Sequence, residues 1–165
     1  VFATRSIVGS VSYVFERTPT DLDGRGSGIV LHTETLRWFV ECSDQHPETV
    51  STATRFMQYL GPDNAVLYRE PAPWSFTSWG TFHRALLADF GRDHYHLGEC
   101  AAGFVQDPDG VAVQFASGRC ERADLVVVAD GLGSANRRRF SPEARLADAG
   151  PAAARRLVPA RPVSA

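Results

Sequence analysis

The spacing of apolar positions changes several times along the chain, and each change marks an element. SVSYVF (Ser10 to Phe15) is rich in β-branched and aromatic residues and predicts a short strand. Glu16-Arg17 and the polar stretch TPTDLDGRGSG follow as a loop. In ETLRWFVEC, Leu36, Phe39 and Val40 share one face, predicting a helix that Thr33 could cap. Two alternating runs in RFMQYLGPDNAVLYRE (Arg55 to Glu70) flank Gly61-Pro62-Asp63-Asn64 and predict a hairpin with a four-residue loop. Trp79, Phe82, Leu86, Leu87 and Phe90 form a helical stripe that Gly91 terminates. YHLGECAAGFVQ and VAVQFASG, joined by Asp107-Pro108-Asp109-Gly110, read as antiparallel strands with a tight turn. Finally, Leu125 to Ala129 is apolar without alternation, which predicts a strand covered on both faces, as in a parallel sheet. The resulting order is βα, hairpins, helix, hairpin, parallel β, helix: an α/β chain with an antiparallel β portion.

Composition narrows the function classes. At 165 residues the default is one domain, and a net charge of -2 gives no pull toward nucleic acid or anionic membrane. No apolar run approaches the roughly 20 residues needed to span a bilayer, and no signal pattern opens the chain, so a cytoplasmic location is expected. Cys42, Cys100 and Cys120 are odd in number and lack CxxC spacing, so they are expected to be reduced and partly buried. Asp93, His94, His96, Glu99 and Cys100 lie close in sequence, but no second ligand pair has zinc spacing. Ordinary surface histidines and no metal are the expectation. No G-x-S-x-G elbow supports a hydrolase.

All 17 basic residues are arginine, a bias that points to coding composition. Residues 141 to 165 contain no aromatic and are dominated by Ala, Pro and Arg, so they read as a flexible or loosely helical basic tail behind a domain spanning 1 to 140. Without aromatic interleaving, that tail does not point to nucleic acid.

The most informative stretch is DLVVVADGLGSANRRRF, Asp124 to Phe140. A carboxylate at the C-terminal end of a parallel strand stands at the crevice where α/β sheets bind ligands, so Asp130 is placed to accept hydrogen bonds from hydroxyls. Gly131 removes a side chain from the approach, Ser134 can cap a helix, and the helix start offers amides to an anion. Arg137 to Arg139 lie beyond the first turn and are expected to be solvated. A plain strand-turn-helix with a capping Ser fits the same spacing equally well.

ADLVVVADGLGSANRRR resembles the second cofactor motif of the flavoprotein aromatic hydroxylases, the p-hydroxybenzoate hydroxylase-like monooxygenases. Asp130, Gly131, Ser134 and Arg137 fall in register; Val128 and Asn136 depart from it. VFERTPTDLDGRGSGIVLHTETL is similar to the end of the second Rossmann strand and its loop in that family. FTSWGTFHRALLADFG resembles the helix before the second motif, closest to the dihydroxypyridine-hydroxylase-like subgroup, with Trp79 where many relatives carry Arg and Arg84 as a substitute.

The resemblance implies a Rossmann-like FAD-binding domain, NAD(P)H as co-substrate and hydroxylation of a small aromatic substrate. It also implies cofactor-binding roles for Glu16 on the adenosine ribose, Arg17 and Arg25 on the adenine or pyrophosphate side, and Asp130 with Gly131 on the ribityl or pyrophosphate region. A carboxylate suits a vicinal diol and repels a 2'-phosphate, so Glu16 favours FAD or NAD over NADP. No catalytic residue is identified.

The family's G-x-G-x-x-G precedes the ribose-binding acid within a unit of about 30 residues. Here Gly9 is the lone glycine before Glu16, and the third flavin motif is not found. The expectation is therefore an incomplete, truncated or frameshifted member, with a non-catalytic remnant or partial subunit as the alternative. Loss of the first strand would leave a sheet edge for self-association.

Overall fold

The computed structural model describes residues 11–22, 24–148 and 150. Most of the expected Ala/Pro/Arg tail, and Ser10 of the first expected strand, lie outside them. The elements run β1 (Val14–Glu16), β2 (Gly28–Leu31), α1 (Thr33–Glu41), α2 (Pro47–Val50), β3 (Thr52–Ala53), β4 (Phe56–Leu60), β5 (Val66–Pro71) and β6 (Ser75–Ser78). They continue with α3 (Trp79–Phe90), a 3-10 turn (Arg92–His94), β7 (Tyr95–Leu97), β8 (Ala101–Asp107), β9 (Gly110–Phe115), β10 (Cys120–Ala123) and α4 (Arg137–Phe140). Two compact units result. One joins the segment up to Asp21 with Arg92 onward; the other comprises Leu22–Gly91.

In the first unit β1 pairs with β7 in parallel, Val14 opposite Tyr95 and Glu16 opposite Leu97. The chain then leaves this pair abruptly. Gly98 takes φ 75°, its N–H donates to the Thr18 carbonyl, and the Glu99 N–H donates to the Glu16 carbonyl, both at 3.0 Å. That turn splits the single strand expected over YHLGECAAGFVQ into β7 and β8. β8, β9 and β10 form an antiparallel sheet, as the alternation and the Asp-Pro-Asp-Gly turn predict. Gly110 is required in that turn, because a Cβ there would meet the Ala123 carbonyl oxygen at 2.7 Å with φ at 138°. Phe15 ties the two sheets together, its ring 4.5 Å from that of buried Phe115.

The Leu22–Gly91 unit is built on α1, α2 and α3 around buried Phe39, Val50 and Ala85, with Trp38, Phe82 and Leu86 packed on them. Phe39 is 2% exposed and meets Phe82 edge-on at 5.6 Å; burying such a ring contributes about 2 to 3 kcal/mol. α3 has the bounds its stripe predicts. The Ser78 hydroxyl accepts the Thr81 N–H at 3.0 Å, and Gly91 at φ 90° ends the helix. Thr33, expected as a cap, is the first helical residue of α1 instead, and His32 stands at the cap without a side-chain bond. The β4–β5 hairpin forms with one more loop residue than expected. Leu60 pairs with Val66, Gly61 N–H donates to the Ala65 carbonyl, and Asn64 takes φ 63°. The β2-β6-β3 sheet is an addition that the alternation pattern did not signal.

One expectation is corrected. Leu125 to Asp130 is not a covered parallel strand: it belongs to no ladder among the described residues, and Leu125 and Val127 are 73% and 68% exposed. The register explains this. Ala123 already faces Val111, and β9 begins at Gly110, so the chain beyond Ala123 runs past the hairpin turn with nothing opposite it. Cys42 is half-buried and Cys100 and Cys120 are exposed, all as free thiols. Among the described residues no helix is long and apolar enough to cross a membrane.

Candidate cofactor site

Glu16 ends β1 half-buried. Its Oε1 accepts the Thr18 N–H at 2.8 Å, which orients the carboxylate and leaves lone pairs on both oxygens for further donors. Arg17 is exposed beside it. Arg25 belongs to the other unit, where Gly24 and Gly26 flank it at φ 73° and 81°. A Cβ on Gly26 would lie 2.6 Å from Trp79 Cβ, so only glycine lets this turn rest on the start of α3. Trp79 in turn stacks flat on buried His83 at 4.7 Å.

Asp130 and Gly131 open a loop that closes on itself. The Gly131 carbonyl accepts the Ser134 N–H at 3.1 Å and an Arg137 guanidinium N–H at 2.9 Å, while the Ser134 hydroxyl accepts the Arg137 N–H at 2.9 Å. The Ser134 hydroxyl thus holds the turn leading into α4, whose cap position is Asn136 rather than the expected Ser134. Asp130 accepts from Asn136 Nδ2 at 3.0 Å. Hydrogen bonding, chiefly from the Ser134 side chain with a further contribution from Asn136, outweighs the cost of desolvation and holds the carboxyl below the usual carboxylate range. Gly131 takes φ 79°, and no atom stands within 4 Å of where its Cβ would be, so the approach to the loop is open.

Glu16, Arg17, Asp130 and Gly131 therefore belong to one unit, on a strand end and a loop. Among the described residues no hydrogen bond joins Glu16 to Asp130; each is held by its own neighbours. The arginine block is not simply solvated as expected: Arg137 closes the loop, and Arg139 donates to the Phe104 carbonyl at 2.7 Å. Asn136, a departure from the family pattern in sequence, is the partner of Asp130. An amide six residues after an acid, across a glycine-rich turn, was the available signal.

His94 and His96 are half-buried rather than on the open surface: His96 stacks on Phe15 and Tyr13 at 5.0 and 5.9 Å, and His94 meets Tyr13 edge-on. Among the described residues no three His, Cys, Asp or Glu side chains converge as metal ligands do.

A family model for flavin containing amine oxidoreductases matches residues 28–165. The 2,6-dihydroxypyridine 3-monooxygenase of Paenarthrobacter nicotinovorans is 32% identical over 128 residues, covering 77% of this chain and 32% of that protein. The aurachin C monooxygenase/isomerase of Stigmatella aurantiaca is 45% identical over 62 residues, 34% of this chain and 16% of its own length. Among solved structures, 2,6-dihydroxypyridine-3-hydroxylase from Arthrobacter nicotinovorans superposes with a TM-score of 0.69 at 31% identity, over 79% of this chain and 33% of its own. HpxO of Klebsiella pneumoniae, complexed with FAD and uric acid, gives a TM-score of 0.63 at 20% identity over 76% of this chain and 34% of its own, a likeness of fold alone. The chain spans at most about a third of the length of these relatives. The expected kinship with flavin monooxygenases is thereby met by both sequence and fold, and the chain belongs to the flavin containing amine oxidoreductase family as a homologue of FAD-dependent monooxygenases.

Proposed function

We propose that this chain is part of a flavoprotein monooxygenase that hydroxylates a small aromatic or heteroaromatic ring with NAD(P)H and oxygen, and that Glu16, Arg17, Arg25, Asp130 and Gly131 contact its FAD. The observation that carries the reading is the Asp130 loop: an ionised carboxylate beside an uncrowded, left-handed glycine, held by hydrogen bonds within the loop. The family description concerns amine oxidation and the relatives are monooxygenases. We favour hydroxylation because the dihydroxypyridine enzyme shares 32% identity across 77% of this chain.

The residues present fit a flavin nucleotide chemically. Asp130, ionised at neutral pH, accepts from hydroxyls without donating, which suits the ribityl chain. Glu16, anchored through Thr18, can accept both hydroxyls of a ribose. The planar forks of Arg17 and Arg25 match phosphate oxygens, and the flanking glycines of Arg25 let its backbone approach closely. When bound, FAD supplies the electron transfer linking NAD(P)H, oxygen and the ring. Reduced, unpaired cysteines support a cytoplasmic setting.

A second reading concerns assembly. The exposed, unladdered Leu125 to Val128 stretch favours pairing with a strand of another copy. Sedimentation of the protein against a Val127→Arg variant tests this: a concentration-dependent dimer that the variant abolishes is expected, and a monomer at every concentration excludes it.

Two further outcomes are expected. Because the folded pKa of Asp130 lies below its unfolded value, the stabilisation from its hydrogen bonds is present above the ordinary carboxylate range near pH 4. It is lost as pH falls through the folded pKa. A carboxyl titration followed by NMR should show the Asp130 midpoint rising toward the ordinary value in Ser134→Ala; an unchanged midpoint would remove Ser134 as the cause. In a flavin titration, Asp130→Ala should weaken FAD binding by about tenfold, the loss of roughly one charge-assisted hydrogen bond. NADH or NADPH oxidation should then respond to hydroxylated aromatics and not to amines. Equal affinity in the variant would sink the site, and turnover of amines would sink the reaction.

A further inference from the structure

The loop that carries Asp130 is tied down at its far end, by a residue that neither the cofactor motif nor the proposed contacts include. The Phe104 side chain on β8 is half-buried and meets two consecutive residues of α4. The Arg139 guanidinium lies over its ring at 4.2 Å, and the Phe140 ring stacks on it at 5.5 Å with planes 14° apart. Arg139 also donates to the Phe104 carbonyl at 2.7 Å, so the same residue is gripped by its ring and by its backbone.

The opposite end of the loop lacks such a hold. Leu125 to Asp130 is largely exposed and outside any ladder among the described residues, so pairing with β9 does not carry on from β10 to fix where Asp130 stands. Between the two ends, hydrogen bonds run from α4 back to the acid: Arg139 N–H to the Asn136 carbonyl, Arg137 to Ser134 and to Gly131, and Asn136 to Asp130. The contact with Phe104 thus links the hydrogen-bonded β8-β9-β10 sheet to a loop whose other hydrogen bonds close upon itself.

We propose that Phe104 is a positioning residue for the flavin-contacting loop, holding α4 against β8 so that the Asp130 carboxylate and the Gly131 backbone keep one place before the cofactor arrives. This rests on the flavin reading given above. A four-residue helix has no stability of its own in water, so its geometry comes from what it packs against. Aromatic stacking and a cation over a ring each contribute modestly, and together they amount to about tenfold in an equilibrium. Pre-ordering a loop improves affinity by removing the entropy cost of ordering it on binding.

The test uses the full 165-residue chain and two readouts. Amide exchange at Ser134, Arg137, Arg139 and Ser141, whose N–H groups are all bonded within the loop or α4, reports the anchor without any flavin. FAD affinity reports its consequence. Phe104→Ala is expected to speed exchange at these four amides while leaving the α3 amides protected, and to weaken FAD binding about tenfold. Phe104→Tyr, which keeps the ring, should retain both properties of the parent. Should Phe104→Ala fail to fold, Arg139→Ala serves as the second variant, with the same exchange expected.

Unchanged loop exchange in Phe104→Ala or Arg139→Ala overturns the anchor. Faster exchange with unchanged FAD affinity overturns its role in cofactor binding. A parent chain that binds no FAD, yet shows the exchange difference, overturns the flavin reading while the anchor stands.

Discussion

The constraint on which the site depends is the closure of Asp130 to Arg137 upon the Gly131 carbonyl. One backbone oxygen takes both the Ser134 N–H and the Arg137 guanidinium, and that oxygen is accessible to them because Gly131 turns the chain through a left-handed conformation. A residue with a Cβ would be strained there. Once the loop is closed, Ser134 and Asn136 stand within reach of the Asp130 carboxylate and hold it below the ordinary carboxylate range. Without the closure, an acid at the end of an exposed segment would sample many orientations, and ordering each residue on binding would cost about 1 to 2 kcal/mol. The chemistry of the carboxylate and the geometry of the turn are therefore one feature.

A similar arrangement recurs on a smaller scale at the other proposed contacts. Glu16 is oriented by the amide two residues on, at the point where β1 ends and the chain turns past Gly98. Arg25 stands between two left-handed glycines, one of which rests on Trp79, itself stacked on His83. In each case a charged side chain, half-buried for Glu16 and exposed for Arg25, stands on a backbone fixed by a local bond or a close packing contact. This suits groups that meet a ligand at an open surface: water solvates the charge until the ligand arrives, and the backbone is ordered beforehand.

How much of this could be read from the sequence followed the range of the interactions involved. α3 was legible to the residue, because its stripe is local and Gly91 ends it, while the Ser78 cap at its start came only with the structure. The β8–β9 hairpin was legible from Asp-Pro-Asp-Gly; of the Asp130 loop, the turn at Gly131 and a role for the Ser134 hydroxyl were legible, but not its closure by Arg137, which was expected to be solvated. β2 and β6 were missed: each has four residues, and they pair across more than forty intervening positions, where no local alternation betrays them. The break at Gly98 was missed for the same reason, since it reflects where β1 ends rather than anything in its own neighbourhood. Leu125 to Ala129 failed differently. Its composition describes a covered strand, but composition encodes a preference for burial and cannot supply a partner. Arg139 and Phe104 are 35 residues apart, and a cation resting on a ring leaves no periodic trace.

The most direct measurement is the perturbation of backbone amide resonances as FAD is added to the protein. Saturable shifts concentrated at Thr18 and from Gly131 to Arg137 are expected if the strand end and the closed loop receive the nucleotide together. Saturable shifts that leave both segments unmoved, or no binding at any flavin concentration, would contradict the central claim.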